Sequence, residues 1–166
     1  MIIIRKARKG DEVGISEMIK EGLKRKNWLY TGINVYNQEK LDLLKDSLAN
    51  RTKVIFVAVD TEKNKIVGDV DYLLKNMGRI RHRIDLGWGI HPDYQGRGIG
   101  TNLLKTILID AKKRGFRRAE AEMAVLNVSS WKMALRCGFE IEGTKKRGLL
   151  TDEGEYVDTY LVGKWL

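Results

Sequence analysis

Between positions 95 and 100 the chain reads Gln95-Gly96-Arg97-Gly98-Ile99-Gly100, three glycines at alternate positions with an arginine among them. The first N–H groups of a helix have no partner inside it and sit at the positive end of the helix dipole, so a loop leading into a helix offers ready donors to phosphate. Glycine removes the Cβ that would hold a phosphate at a distance, and Arg97 adds charge. A plain tight turn would need one glycine rather than three. The P-loop pattern Gly-x-x-x-x-Gly-Lys-[Ser/Thr] is absent from the chain. A dinucleotide fingerprint Gly-x-Gly-x-x-Gly would need its third glycine at Thr101, although Glu120 lies about 20 residues past the loop, as that motif requires. Position counts against it, because the loop begins past the middle of 166 residues and leaves too little chain for paired βαβαβ halves.

The other side chains able to do chemistry are carboxylates. Ala119, Ala121, Met123 and Val125 alternate with Glu120, Glu122 and Ala124, which reads as a strand carrying two carboxylates on one face. Asp85 lies on an earlier strand, and strand faces alone leave open which of the three points into a cleft. Cys137 is alone and needs no oxidising compartment; on a helix before Gly138 it reads as a small buried hydrophobe. With His91 placed in a turn and His82 on the surface, no metal site is expected.

The elements around these residues alternate in type. A short strand over 2–5 precedes a helix with the stripe Ile15, Met18, Ile19 and Leu23, for which Asp11 is a candidate cap. A second helix carries Leu41, Leu44 and Leu48, with Asn37 as its cap. The intervening stretch 27–36 is rich in aromatics and glycine, and Trp28, Tyr30 and Tyr36 are candidates to line an amine pocket or to pack in the core. Val54 to Val59 is apolar on both faces and reads as a central strand, forming a hairpin with 66–74. The turn-like Asn76-Met77-Gly78 leads to a strand over 84–90, which stops at His91-Pro92. After the glycine loop, Ile99, Leu103, Leu104, Ile107, Leu108 and Ala111 make the stripe of a core-facing helix that Gly115 ends. A helix over 129–137 and strands over 139–144 and 156–162 complete an α/β chain with a mixed sheet, expected to be one domain over 1–166.

Apolar residues make up 43% of the chain and charged residues 32%, a globular composition. The N-terminal Met1-Ile2-Ile3-Ile4 runs directly into Arg5-Lys6 with no signal-peptide layout, and the longest apolar run is far short of a bilayer span, so a cytoplasmic protein without membrane contact is expected. The net charge of +9 brings nucleic acid to mind. Its basic clusters, 79–83, 112–118 and 145–147, are interrupted and lack the interleaved aromatics that stack bases, so a solvated basic surface is favoured.

The run His91-Pro92-Asp93-Tyr94-Gln95-Gly96-Arg97-Gly98-Ile99-Gly100 resembles motif A of the GCN5-related N-acetyltransferases, Gln/Arg-x-x-Gly-x-Gly/Ala after a strand that ends in a proline turn. Asn127 together with Leu135-Arg136-Cys137-Gly138-Phe139 resembles motif B, an asparagine before a helix ending in Gly-Phe. The resemblance implies an α+β fold with a mixed, mostly antiparallel central sheet, a splayed parallel strand pair and flanking helices. It implies acetyl-coenzyme A as cosubstrate, its pyrophosphate on the backbone from Gly96 to Thr101 with Gln95 beside it. Its pantetheine would lie between the strand ending Trp88-Gly89-Ile90 and Ala124-Val125, with the Ile90 N–H facing the thioester oxygen and Asn127 and Ser130 at the next helix start. Direct transfer to a primary amine is implied, either a small metabolite or a protein N-terminus, without a metal. Homodimerisation stays open.

The resemblance makes Glu122 the first candidate for the base, five residues before Asn127 where several relatives carry a glutamate; that it only pairs with a nearby cation is the alternative, and Asp85 and Glu120 are further candidates. Many relatives have a tyrosine seven residues after the asparagine to protonate the thiolate, where this chain has Ala134. Water, Ser130, Tyr156 or Tyr160 are the candidate replacements. The stretches Asn127-Val128-Ser129-Ser130 and Gly154-Glu155-Tyr156-Val157-Asp158 resemble the ribosomal-protein N-terminal and small-amine acetyltransferases. The rival reading that Ala134 invites is a coenzyme A-binding module with weak or lost catalysis.

Overall fold

The computed structural model describes residues 1–25, 38–50, 53–73 and 78–166. Asn37, Trp28, Tyr30 and Tyr36 lie outside the described residues. Strands β1 (Ile2–Lys6), β2 (Lys53–Asp60), β3 (Lys65–Leu73), β4 (Arg83–Ile90), β5 (Arg118–Ala124), β6 (Glu140–Leu150) and β7 (Tyr156–Trp165) form a seven-stranded sheet in the order β1-β2-β3-β4-β5-β7-β6. Every neighbouring pair is antiparallel except β4 and β5, which are parallel. That one parallel pair needs a crossover, and the glycine loop with helix α3 (Ile99–Lys113) supplies it. No helix among the described residues is long and apolar enough to cross a membrane.

Helices cover both faces of the sheet. Helix α1 (Asp11–Lys24) packs Ile15 and Met18 on Ile55, Val57 and Val59, with Leu44 and Leu48 of helix α2 (Gln38–Asn50) against the same cluster. On the other face α3 and helix α4 (Val128–Arg136) pack on Val54, Val70, Tyr72, Ile84, Ala119 and Met123. Because β2 meets helices on both sides, its apolar run is continuous instead of alternating. All six stripe residues of α3 are buried.

The two helices on the second face end alike. Past α3, the N–H of Gly115 bonds Lys112 O and that of Phe116 bonds Ala111 O; past α4, the N–H of Gly138 bonds Leu135 O and that of Phe139 bonds Ala134 O. Both are Schellman motifs, with Gly115 at φ +90° and Gly138 at φ +85°, the left-handed conformation that glycine adopts without a Cβ penalty. The Gly138-Phe139 pair therefore stops α4 and drops Phe139 into the core.

Two local expectations are corrected. Asp11 is not the cap of α1: Gly10 holds that position, and Asp11 is the first helical residue. Its carboxylate accepts the Arg8 N–H at 2.8 Å and both Arg5 guanidinium nitrogens at 2.6 and 2.8 Å, joining β1 to α1. Burial pushes this carboxyl up, but Arg5 and the Arg8 N–H outweigh it and hold it below the usual range. The last two strands also run past their expected ends at residues 144 and 162, to Leu150 and Trp165. The segment Lys145-Lys146-Arg147 has no apolar alternation, and pairing to β7 carries it instead, across a register shift where Arg147 has φ +52°. As the edge strand of the sheet, β6 presents these cations where they discourage pairing with another chain.

Candidate active site

The parallel pair holds together for only three residues. Arg83, Ile84 and Asp85 pair with Arg118, Ala119 and Glu120; beyond that β4 stays with β3 as far as Ile90, while β5 stays with β7 as far as Ala124. From Leu86 and Ala121 onward the two strands therefore part, each held by its other neighbour. The backbone directions follow from alternation. The N–H of His91 bonds Val67 O on the β3 side, so the peptide groups of Trp88 and Ile90 face the opening. The N–H of Val125 bonds Asp158 O on the β7 side, so those of Glu122 and Ala124 face it from across.

The wide end of this opening meets the glycine loop. Gly98 occupies the cap position of α3 at φ +75° and Gly96 lies at φ +73°; no atom stands within 4 Å of where a Cβ on either would project. The first bond of the helix runs from the Asn102 N–H to Gly98 O, so the N–H groups of Ile99, Gly100 and Thr101 precede it and emerge from the helix end. A Cβ on Gly100 would come within 2.7 Å of Met133 Sδ, so a larger residue there would make the Met133 side chain of α4 shift. Beneath the loop, Tyr94 is buried and donates to Asp60 at 2.8 Å. His91 accepts the Asp93 N–H at 3.2 Å, capping the short turn of helix Pro92–Tyr94 that ends β4.

Opening and loop enclose one cavity of about 1130 Å³. Of the residues expected to bind the cofactor, Trp88, Gly89, Ile90, Gln95, Gly96, Gly98, Ile99, Gly100, Thr101, Asn127 and Ser130 line it, and so does Glu122. Ile99 turns its side chain into the core, so its contribution is the backbone. Arg97 is the exception: its guanidinium lies 4.9 Å over the Tyr94 ring and donates to Asp93 O at 2.8 Å. The cations that do line the cavity are Arg83, Arg118, Lys132 and Arg136, which sequence reasoning did not single out. Arg118 bonds Glu142 and Glu120, whose carboxylates raise its guanidinium further and fix it at the narrow end.

Asn127 earns its place through the helix it starts. Its Oδ1 accepts the Ser130 N–H at 3.3 Å, capping α4. Ser130 Oγ in turn accepts the Trp88 indole N–H at 2.9 Å across the opening, which leaves its own hydroxyl proton for another acceptor. Tyr156 and Tyr160 are not among the lining residues: Tyr156 is 65% exposed and Tyr160 packs edge-on against Trp131. Ala134 is fully buried in the core. Burial raises the Cys137 thiol, in keeping with a packing role.

The three carboxylates weighed from sequence share the face of the sheet opposite α3. Glu120 is paired to Arg83 and Arg118. Glu122 has both oxygens engaged, Oε1 accepting from Thr159 Oγ1 at 2.6 Å and Oε2 from Lys145 Nζ at 2.7 Å. A pairing of Glu122 with a cation, raised as its alternative role, is thus present.

The comparisons with known proteins agree with this geometry. The family model described as Acetyltransferase (GNAT) family matches residues 21–139. The L-amino acid N-acetyltransferase AaaT of Escherichia coli (strain K12) is 31% identical over 101 residues, which cover 60% of this chain and only 61% of that protein. Among solved structures, an acetyltransferase of the GNAT family from Streptococcus pneumoniae has a TM-score of 0.88 at 24% identity over the whole of both chains. A phosphinothricin acetyltransferase of the GNAT superfamily from Sinorhizobium meliloti, in complex with AcCoA, has a TM-score of 0.86 at 22% identity, covering 99% of this chain and 88% of that one. The family model spans more than half of the chain, and this chain belongs to the acetyltransferase (GNAT) family.

Proposed function

We propose that the protein transfers an acetyl group from acetyl-coenzyme A directly to a primary amine. The observation that carries this is the parting of β4 from β5 after Asp85 and Glu120, right beside the glycine-lined N-terminus of α3. The two features fit the two halves of the cosubstrate: left-handed glycines with open space above them for a pyrophosphate, and unpaired strand edges for the amides of a pantetheine arm. Gln95, Gly96, Gly98, Gly100 and Thr101 hold the first, and Trp88, Gly89, Ile90 and Ala124 the second. Arg97 serves the loop through Tyr94, and Lys132 or Arg136 supplies positive charge to the cavity wall in its place.

Acetyl-coenzyme A supplies an activated acyl group and a thiolate leaving group. The chain supplies position and proton handling. The Ile90 N–H, fixed at the parting, is a donor for a carbonyl oxygen that gains charge as an amine adds, and a preorganised donor of that kind removes about 3 kcal/mol from a barrier. Ser130, its hydroxyl oriented by the Trp88 indole, gives a proton to the departing sulfur, the task for which Ala134 has no group. The acceptor is a small-molecule amine or a protein N-terminus, and the amino-acid acetyltransferase among the relatives favours the former.

The test incubates the protein with acetyl-coenzyme A and an amine panel of the common L-amino acids, spermidine and an alanine-initiated peptide, following thiol release and acetylated product by mass spectrometry. Acetylation of at least one amine is expected. Tight acetyl-coenzyme A binding without turnover on any of them would support the binding-module reading instead.

A further inference from the structure

On the face of β4 away from α3, the two positions at the parting are both glycine, Gly87 and Gly89. Their partners on β3 are Asp71 and Asp69. Gly87, Gly89 and Glu122 line the cavity, and with no side chains on those glycines nothing of β4 projects between the opening and the β3 carboxylates that stand behind them. Asp71 is committed, ion-paired to Lys53 and leaning over Gly87, where an added Cβ would come within 3.0 Å of its Oδ1. Asp69 stands one pleat further along, opposite Gly89 and next to the register position of Ile90, whose N–H faces the opening. It is half-buried, and among the described residues no cation is bonded to it.

Resting on the acetyltransferase reading, we propose that Asp69 is the base of the reaction, its carboxylate taking a proton from the acceptor's ammonium over Gly89, directly or through one water. One proton passes from nitrogen to Asp69 Oδ. The N–C bond then forms as the C–S bond breaks, and a second nitrogen proton leaves with the sulfur by way of Ser130 and water. Asp69 afterwards releases its proton to solvent, which closes the balance: ammonium and acetyl thioester give amide, thiol and one proton.

The surroundings suit that task. Burial, and next the charge of Asp71, push the Asp69 carboxyl up to about 7, while Lys53 and the Gly89 N–H pull it down. Among the described residues, the charged groups acting on it are Lys53 from β2 and Asp71 from β3; α1, packed on β3, buries the apolar Ile15, Met18 and Leu23. A base that titrates near neutrality abstracts a proton without being swamped by it. Each oxygen of Glu122 already accepts a hydrogen bond, one from the Lys145 ammonium and one from the Thr159 hydroxyl, which favours its ionised form in that pairing.

Asp69→Asn, Asp69→Glu and Glu122→Gln separate the two carboxylates. With the panel amine that wild type acetylates fastest, kcat/KM should rise with pH through an apparent pKa near 7. Asp69→Asn should lose about 10² to 10⁴ in kcat/KM together with that rise. Its acetyl-coenzyme A affinity by calorimetry should stay within about twofold, because Asp69 meets the cofactor-binding strand through the Gly89 N–H, on the β3 side and away from the opening. Asp69→Glu should recover part of the rate, and Glu122→Gln should lose less than about tenfold and keep the pH rise. Independently of turnover, a ¹³C NMR titration of wild-type protein without acetyl-coenzyme A should show an aspartate carboxyl titrating near 7. If Asp69→Asn does not fold, that titration and Asp69→Glu decide. Undiminished transfer by Asp69→Asn, a retained pH rise, or no carboxyl above the ordinary range overturns the assignment alone. Absence of transfer by wild type overturns the acetyltransferase reading and the assignment with it.

Discussion

Asp69 makes a stability prediction that is separate from catalysis. Its carboxyl is raised from 3.8 to about 7 in the folded protein, so between those values the folded state keeps a proton that the unfolded chain has released. Stability is therefore fully present below about pH 4, falls as pH rises through that window, and is level above about 7. The rise corresponds to about 4 kcal/mol at most. Asp69 keeps some solvent contact, which reduces the expected cost to about 2 kcal/mol. Asparagine has the shape of the neutral carboxyl and no charge to desolvate. Asp69→Asn should thus be more stable than wild type by about 2 kcal/mol at pH 8 and nearly equal to it at pH 4. Urea unfolding of both proteins at the two pH values measures this, since titrating groups other than the Asp69 neighbours Asp71 and Lys53 cancel in the difference. A gap between the two proteins that is the same at both pH values would refute the reasoning. A group that weakens the fold at working pH while serving the reaction is the usual trade between stability and activity.

Other substitutions probe the rest of the site. Ser130→Ala should lower kcat by about 10² with little change in KM, read from steady-state kinetics, because it removes a proton donor without touching the glycine cradle. Gly98→Ala forces an L residue to φ +75° at the cap of α3; it should cost about 1 kcal/mol in chemical unfolding and weaken acetyl-coenzyme A binding by about tenfold in calorimetry. Ala134→Tyr should not restore a general acid. That position is fully buried, so the added ring overpacks the core and lowers stability by about 1 to 3 kcal/mol, measured by urea unfolding, without raising kcat. Arg5→Ala leaves the Asp11 carboxylate in a partly buried place without its cation and should cost about 1 to 3 kcal/mol at pH 7. Because Asp11 is held below its ordinary range, that cost should fade as pH falls through the acid range.

The features legible in the sequence were local ones. The alternate glycines, the stripe of α3 and the Gly-Phe that ends α4 each depend on residues a few positions apart, and each stands in the structure as read. The alternation at 119–125 likewise put Glu120 and Glu122 on one face. What escaped depends on partners far along the chain. Asp69 gains meaning only when β3 is registered on β4 and glycine is found opposite it, a pairing that spans about twenty residues of sequence and no visible motif. The direction of Arg97 was set by the ring of Tyr94, three residues back, which competes with phosphate for a guanidinium. Asp11 was read as a cap from its type, but Arg5 and Arg8 drew it into the first turn. A Glu122 engaged by Lys145 required β6 to continue past residue 144, which the run of cations there concealed.

The central claim is that one ligand occupies both the parted strands and the end of α3. Amide NMR of the ¹⁵N-labelled protein titrated with acetyl-coenzyme A tests it most directly. The account predicts saturable shifts at Trp88, Ile90 and Ala124 and at Gly98 to Thr101, all following one binding curve. Binding that leaves Ile90 and Ala124 unmoved, or shifts confined to other strands, would contradict it.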